Sequence, residues 1–243
     1  ILKTSTRGSL PNRIGGYLSM NLHDAPADSL SGKLSVGPMS SQGTLHIPTG
    51  KRSAVILSLR ASYLNLLYSR WLEVEGNQLK YSFYDTNLTY LFKDGEANAV
   101  WADFYLGSDA ARMNEGMYLS DIRLHWGNVM GALHWRHALS GHRATLVQTL
   151  FVTRYKNTLK LSTPQISFQM PSSITSVGYK LKYGARHLNA GLDAVYHHVC
   201  PQSPTLASDY NTYDKGTAHQ RALELAAYAT YSHQLGEYWT ADV

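Results

Sequence analysis

The feature of this sequence that most constrains its fold is a two-residue alternation of apolar and polar side chains along most of the chain. In segment 53–64, Val55 and Leu57 occupy odd positions, whereas Ser58 and Arg60 occupy even positions. Successive side chains of a β-strand point to opposite faces, so this spacing predicts a strand with one apolar and one polar face. The same alternation predicts strands at 81–92, 97–107, 122–137, 188–198 and 222–232. We therefore predict an all-β protein.

The predicted connections between these strands alternate between short and long. The short ones are polar and begin near Pro48, Lys93, Ser140, Ala185 and Gly236. The long ones are predicted at 68–79, 108–118, 156–172 and 200–220. Bacterial outer-membrane barrels have short turns at one rim and long loops at the other. The alternation therefore predicts an antiparallel up-and-down meander that forms part of a transmembrane β-barrel.

The composition agrees with a strand-built membrane wall. Charged residues make up 16% of the 243 residues, against about 25% in an average soluble domain. No apolar run reaches the roughly 20 residues that a membrane-spanning helix requires. The basic residues are scattered, so we do not expect nucleic acid as a partner. Cys200 is the one cysteine, which excludes a disulfide within the chain.

One predicted strand contains an irregularity. Ile122, Leu124 and Trp126 follow one phase of the alternation, and Val129 and Leu133 follow the other. The phase changes between positions 127 and 128. A β-bulge shifts the alternation by one residue, so we predict a bulge at this point.

No group of residues predicts a catalytic or metal centre. The acids fit the water-facing wall of a barrel better than a catalytic pair, because barrels place polar side chains inside. Adjacent His197 and His198 should point to opposite faces, so they cannot chelate one ion from a regular strand, although nearby Cys200 keeps a His/Cys metal interpretation open. We predict no enzyme activity, no metal and no cofactor. The predicted lumen-facing residues are Arg60, Asp85, Asn87, Asp103, His134, Arg136 and Asp193.

The tryptophans allow two interpretations. They could form a platform on which sugar rings stack, or an interfacial girdle at the level of the lipid headgroups. Most lie near predicted strand ends, so we favour the girdle. The residues concerned are Trp71, Trp101, Trp126, Trp135 and Trp239.

An ordered series of motifs resembles the TonB-dependent outer-membrane receptors. The segment GSLPNRIGGYLSMNL at 8–22 resembles the last plug strand of that family, whose G-x-P-x-x-x-G-G element leads into the barrel. SLRASYL at 58–64 and YSFYDTNL at 81–88 resemble two early barrel strands. Trp126-Gly127-Asn128, GLDAVYHHVCP at 191–201 and LGEYW at 235–239 also fit, in family order. The series most resembles the subgroup with an N-terminal carboxypeptidase-regulatory-like domain.

This resemblance implies the organisation and function of the complete protein. Residues 1–28 would be the C-terminal end of the plug, and residues 29–243 the first ten or eleven strands of the barrel. The receptor would lie in the bacterial outer membrane, in contact with lipid, and would import a siderophore, a cobalamin-like compound or a glycan with energy delivered by TonB. A surface lipoprotein is a further expected partner. The long loops would capture the substrate, with Tyr210 and Tyr213 as candidate ligand contacts.

Two alternatives remain open from the sequence. One is a passive porin-like or assembly barrel without a plug. The other is a soluble all-β binding module.

Overall fold

The computed structural model describes residues 29–68, 70–74, 76–95, 98–115, 120–139, 144–214, 216, 218–235 and 239–242. The predicted plug segment 1–28 lies outside these residues. Within them the chain is built from strands and one four-residue helix, α1 (Leu64–Leu67), which confirms the predicted all-β class. In the same residues, no helix has the length and apolar character needed to cross a membrane.

The described residues form fourteen strands. Their bounds are β1 Ser31–Val36, β2 Ser40–Gly50, β3 Ser53–Ser62, β4 Glu73–Val74, β5 Asn77–Asp94, β6 Asn98–Glu115, β7 Ser120–Leu139, β8 Ala144–Ser162, β9 Ile166–Ala185, β10 Leu188–Cys200, β11 Thr205–Ser208, β12 Thr212–Asp214, β13 Gln220–Leu235 and β14 Trp239–Asp242.

The strands pair as the predicted antiparallel meander. Eleven of them follow one another in the order β1-β2-β3-β5-β6-β7-β8-β9-β10-β13-β14, and each pairs antiparallel with the next. Short strand β4 pairs with β5, and the β11–β12 hairpin pairs with β9. In the described part of the chain, β1 and β14 form the two edges of the sheet. The sheet is therefore an open, single-layer meander rather than a closed barrel.

The strands extend further than the alternation predicts. β6 to β9 contain 18, 20, 19 and 20 residues. The long loops predicted at 108–118 and 156–172 are wrong, since β6 continues to Glu115 and only residues 163–165 separate β8 from β9. Charged residues within these ranges, such as Arg112 and Lys160, lie on the strands. The short turns predicted near Lys93 and Ala185 fall where β5 and β9 end, and Gly95 supplies the positive φ of 77° that the first of them requires. The turn predicted at 48–51 begins later, because β2 continues to Gly50, and those predicted near Ser140 and Gly236 lie outside the described residues.

The bulge predicted in β7 is also wrong. The register of β7 with β6 and with β8 runs without a shift through Gly127 and Asn128. Trp126 and Leu133 therefore lie on opposite faces of one regular strand. The alternation of apolar and polar residues changes phase because the face that carries the apolar side chains changes along β7. The backbone itself is regular.

The two faces of the sheet differ in chemistry. Cross-strand partners share a face, so the registers assign every strand residue to one side. We call the side that carries Arg60, Asp85 and Asp103 the polar face, and the side that carries Leu88 and Leu192 the apolar face. Among the described residues, no second layer covers either face. The buried apolar side chains in the described residues are accordingly few: Ala54, Ile56, Leu64, Leu91, Ala99 and Ala144.

Large exposed apolar side chains form a continuous strip on the apolar face, which we call the apolar band. Its members are Leu59, Tyr84, Leu88, Tyr90, Phe92, Val100, Phe104, Val129, Leu133, Trp135, Leu150, Val152, Val177, Tyr179, Leu188, Leu192, Tyr196, Leu223, Leu225 and Tyr231. On β5, β10 and β13 the band covers positions 84–92, 188–196 and 223–231, nine residues in each strand. Nine residues span about 30 Å along a strand.

The strands are inclined to this band. When cross-strand partners are followed from Tyr84 on β5 through β6, β7, β8 and β9, they lead to Cys200 on β10. On β10, however, the band ends at Tyr196, four residues nearer the short turns. Phe92 marks the other end of the band on β5, and its partners lead in the same way to Leu192 on β10. The band on β10 extends four residues further, to Leu188. A shift of about 14 Å over five strand spacings of about 4.8 Å corresponds to an inclination of about 30°, close to the 35–45° of closed barrels.

Aromatic rings lie flat against glycines on the polar face. A Cβ at Gly178 would lie 2.3 Å from Phe151 Cζ, and a Cβ at Gly191 would lie 2.4 Å from Tyr228 Cε1. The missing side chain of each glycine lets the cross-strand ring rest on the backbone. This arrangement keeps a large aromatic group low on the face.

We expect Gly178→Ala to destabilise the sheet by about 1 kcal/mol, because the new Cβ must lift the Phe151 ring and expose part of its surface. Gly131→Ala is the matched control. Its Cβ would lie 3.7 Å from Val152, an ordinary contact, and alanine lowers the entropy of the unfolded chain. Unfolding of the detergent-solubilised chain in urea, followed by tryptophan fluorescence, measures both. Equal midpoints for the two variants would contradict the packing argument.

Candidate ligand-facing surface

Ion pairs cross the strands of the polar face. Arg60 Nε on β3 donates a hydrogen bond of 2.7 Å to Asp85 Oδ2 on β5. The Arg60 guanidinium also lies 5.1 Å from the ring centroid of Phe83. On the same face, but on the later strands β9 and β10, Lys180 Nζ lies 3.3 Å from Asp193 Oδ2. These charges of the face are therefore paired across neighbouring strands.

A chain of hydrogen bonds runs across four strands at the centre of the face. Thr89 Oγ1 donates to Asp103 Oδ1 at 2.6 Å, and Asp103 Oδ2 lies 3.2 Å from His134 Nε2. His134 Nδ1 lies 2.9 Å from Thr149 Oγ1. The Trp101 ring stacks on the His134 ring, with centroids 4.8 Å apart and planes at 8°. The stack and both hydrogen bonds fix the orientation of the imidazole.

A second hydroxyl–imidazole–carboxylate series joins β9, β10 and β13. Ser176 Oγ lies 2.8 Å from His197 Nδ1, and His197 Nε2 lies 3.5 Å from Glu224 Oε2. Such a series resembles a nucleophile with its base, but acyl transfer also requires free donors for the oxyanion. Ser176 and Thr149 lie inside strands that are paired on both sides, so the backbone N–H groups around them belong to the ladders. The geometry supports structural polar ladders, and the absence of enzyme activity stays a prediction.

The structure brings all seven predicted lumen-facing residues to the polar face: Arg60, Asp85, Asn87, Asp103, His134, Arg136 and Asp193. The alternation sufficed to group them. That this face lines a lumen stays a prediction.

Sequence reasoning missed an aromatic cluster at the end of the polar face that is far from the short turns. The cluster consists of Tyr81, Phe83 and Trp126. Tyr81 stacks on Trp126 with centroids 6.2 Å apart and planes at 24°, and Tyr81 packs against Phe83 at 5.9 Å. The Tyr81 hydroxyl donates to Asp109 Oδ1 at 2.6 Å. The alternation did not predict the cluster, because at this end of the sheet apolar side chains occupy the face that is polar elsewhere.

Polar groups border the aromatic cluster. Asn157 is directly opposite Trp126 in the register, and its buried Oδ1 has no hydrogen-bond partner in the described residues. Burial raises the pKa of Tyr81 to about 12, and the hydrogen bond to Asp109 and its negative charge act in the same direction. An aromatic surface with a carboxylate and an amide at its border suits a ring that carries hydroxyl groups.

The girdle predicted for the tryptophans is wrong for two of them. Trp101 and Trp126 lie on the polar face. Trp135 lies in the apolar band near the short turns, and Trp71 is 76% exposed beyond helix α1. The Trp239 side chain lies outside the described part of the chain. Whether a tryptophan belongs to a girdle or to a platform depends on the face of the strand to which it points. A position near a strand end in the sequence does not reveal that face.

The predicted ligand contacts Tyr210 and Tyr213 lie on the β11–β12 hairpin. Tyr210 is at its tip and 98% exposed, and Tyr213 is opposite Leu206. The hairpin extends the sheet beside the first residues of β9. Both side chains are therefore accessible at the end of the sheet that is far from the short turns, where the aromatic cluster also lies.

The apolar face at this same end of the sheet is charged. Asp121 accepts hydrogen bonds from Arg123 Nε at 2.7 Å and from Arg112 Nε at 2.8 Å. The bond from Arg123, followed by that from Arg112, holds the pKa of the Asp121 carboxyl below its usual value. Beyond the apolar band, the apolar face thus becomes a surface suited to water.

Comparisons with protein-family models, curated proteins and solved structures give no match to this chain.

We expect the native state to lose stability between about pH 10 and pH 12 because Tyr81 keeps its proton in the folded sheet up to about pH 12, whereas an unfolded tyrosine releases it near pH 10. Below pH 10 the contribution of Tyr81 is fully present. Tyr81→Phe removes this titration, so its unfolding midpoint should fall less steeply with pH than that of the unmodified chain. Parallel pH profiles would show that the Tyr81 hydroxyl is not held by Asp109.

Proposed function

We propose that this chain is a wall segment of a TonB-dependent receptor in the bacterial outer membrane and that the complete protein imports a scarce nutrient. The observation that carries the proposal is the apolar band. It supports a membrane-facing surface because it is continuous across the sheet, about as long as a transmembrane strand requires, and bordered by charged residues.

The size of the band argues against a soluble sheet. Its twenty side chains expose on the order of 1,500 Å² of apolar surface if each exposes roughly 80 Å², whereas the largest patch of a typical soluble monomer is roughly 300–600 Å². At about 25 cal/mol per Å², contact with water instead of lipid costs on the order of 35 kcal/mol. A typical domain is stable by about 5–15 kcal/mol. The band therefore requires an apolar partner, and lipid matches its height of nine residues on β5, β10 and β13.

The opposite face supports a water-filled or plug-filled interior. Its ion pairs and hydrogen-bonded ladders follow one another from β3 to β13, which is the arrangement expected inside a transmembrane barrel. In this proposal residues 1–28 are the end of the plug, and further strands close the sheet. The ordered motifs that resemble TonB-dependent receptors favour a plugged importer over a porin-like or assembly barrel.

The structure also favours a position for substrate contacts. The aromatic cluster, Asp109 and Asn157 lie beyond the level of the band on the inner side of the sheet. In a barrel oriented with its short turns toward the periplasm, this position is at the extracellular entrance. A ring-shaped substrate with hydroxyl groups, such as a glycan or a catecholate siderophore, could stack on Trp126 and accept or donate hydrogen bonds at its border. Tyr210 and Tyr213 would contact the substrate from the loop.

The lipid contact can be tested with single-tryptophan variants of the full-length protein in vesicles that contain brominated phospholipids. Trp135 lies in the apolar band, so its fluorescence should be quenched strongly. Trp126 lies on the opposite face and serves as the matched control, with little quenching expected. Equal quenching of the two, or failure of the folded protein to insert into vesicles, would contradict the membrane assignment.

A plugged importer and an open pore differ in conductance. The full-length protein in a planar bilayer should show no steady ion current, because the plug fills the barrel. Deletion of the plug should open a current of porin size. A steady current through the intact protein would favour the passive barrel instead.

A further inference from the structure

We infer that His198, Cys200 and His219 form a binding site for a single transition-metal ion of Zn²⁺ type. His198 and Cys200 belong to β10, and His219 immediately precedes β13. His198 Nε2 lies 3.1 Å from His219 Nδ1, and Cys200 Sγ lies 3.2 Å from the same His219 nitrogen. All three ligand atoms lie within 4.8 Å of one another.

The distances match those of a metal site. Zn²⁺ binds imidazole nitrogen at about 2.0–2.1 Å and thiolate sulfur at about 2.3 Å. Tetrahedral angles then place two ligand nitrogens about 3.3 Å apart and a nitrogen and a sulfur about 3.6 Å apart. Movements of a few tenths of an ångström would bring the His198–His219 and Cys200–His219 pairs to these values, and the His198–Cys200 pair, which lies within 4.8 Å, would have to close to about 3.6 Å.

Strand geometry explains how two of the ligands meet. Residues two apart on a strand point to the same side, so His198 and Cys200 are neighbours, while His197 points to the polar face and bonds Ser176. After Cys200 the chain passes through the β11–β12 hairpin and comes back beside β10 at His219. The two imidazole rings stack with centroids 5.1 Å apart and planes at 15°. Sequence reasoning considered His198 and Cys200 but missed His219, because the return of the chain is a tertiary feature.

The donor set indicates the class of ion. Two imidazoles and one thiolate suit Zn²⁺, Co²⁺ or copper and do not suit Mg²⁺ or Ca²⁺, which prefer oxygen. Three protein ligands leave a fourth position for water or an external ligand. Binding converts the Cys200 thiol to a metal thiolate and releases its proton to solvent, with no change in oxidation state. The ion would join the end of β10 to the start of β13 and so close the base of the hairpin.

The position of the site agrees with access from water. Tyr196 is the last band residue of β10, so His198 and Cys200 lie two and four residues beyond it. His198 and Cys200 are half-buried, and His219 is exposed. An ion can therefore reach the site without crossing the apolar band.

The test is binding of Zn²⁺ and Co²⁺ to the purified 243-residue chain in detergent. We expect one Zn²⁺ per chain in equilibrium dialysis and, with Co²⁺, a thiolate-to-metal charge-transfer band in the near-ultraviolet. Cys200→Ser should abolish that band, and His219→Gln, which changes an exposed residue outside the strands, should weaken Zn²⁺ binding at least tenfold. Zn²⁺ should also protect Cys200 from alkylation.

His197→Gln is the matched control for His198→Gln, since the two residues are adjacent but lie on opposite faces. His197→Gln should keep the Zn²⁺ affinity, and His198→Gln should reduce it at least tenfold. The inference is overturned if both variants bind equally, or if Cys200→Ser retains the charge-transfer band. Because the assay measures metal and not transport, its result is independent of the proposed import function.

Discussion

The structure depends on the pairing of long antiparallel strands into a single layer, which no second layer covers in the part of the chain that the structure describes. Backbone hydrogen bonds hold neighbouring strands together, but they leave both faces of the sheet exposed. A soluble domain buries one face against another layer. Here few apolar side chains are buried, and the large ones lie outward in one band. The apolar face therefore needs an apolar environment to complete the fold, and under the proposed function lipid would provide it.

The opposite face meets a different requirement. In the proposed barrel, a charged group on this face would meet a narrow or plugged interior and lose part of its hydration, so it would need a partner. Arg60 with Asp85, Lys180 with Asp193, and Asp103 with His134 meet this need across strands. These pairs also resist a slip of register, since a shift of one residue would turn one member of each pair to the apolar face.

The alternation in the sequence predicted the strands, the faces and the short turns, because all three follow from local rules. It failed where the environment changes along a strand. At Trp126 the reversal of polarity produced a phase change that we interpreted as a bulge. Positions 108–118 and 156–172 were interpreted as loops, although β6 continues to Glu115 and only residues 163–165 separate β8 from β9. Local patterns report which side of a strand meets water, and they do not distinguish a loop from a strand that is polar on both sides. His219 was missed for another reason, since its neighbours come from a distant part of the chain.

The reversal of polarity has a consequence for recognition. Within the band, apolar side chains lie on the apolar face and polar ones on the polar face. Beyond the band, charged residues such as Asp121 lie on the apolar face, whereas Tyr81 and Trp126 lie on the polar face. Under the proposed function, the part of the sheet beyond the band would stand in water, which needs no apolar wall, so the inner side would be free to carry aromatic residues. The same strands would then cross the membrane and present an apolar recognition surface above it, supported by paired backbone on both sides. A rigid wall is better suited than a mobile loop to hold stacked rings at fixed spacing, because little entropy is lost when a ligand binds it.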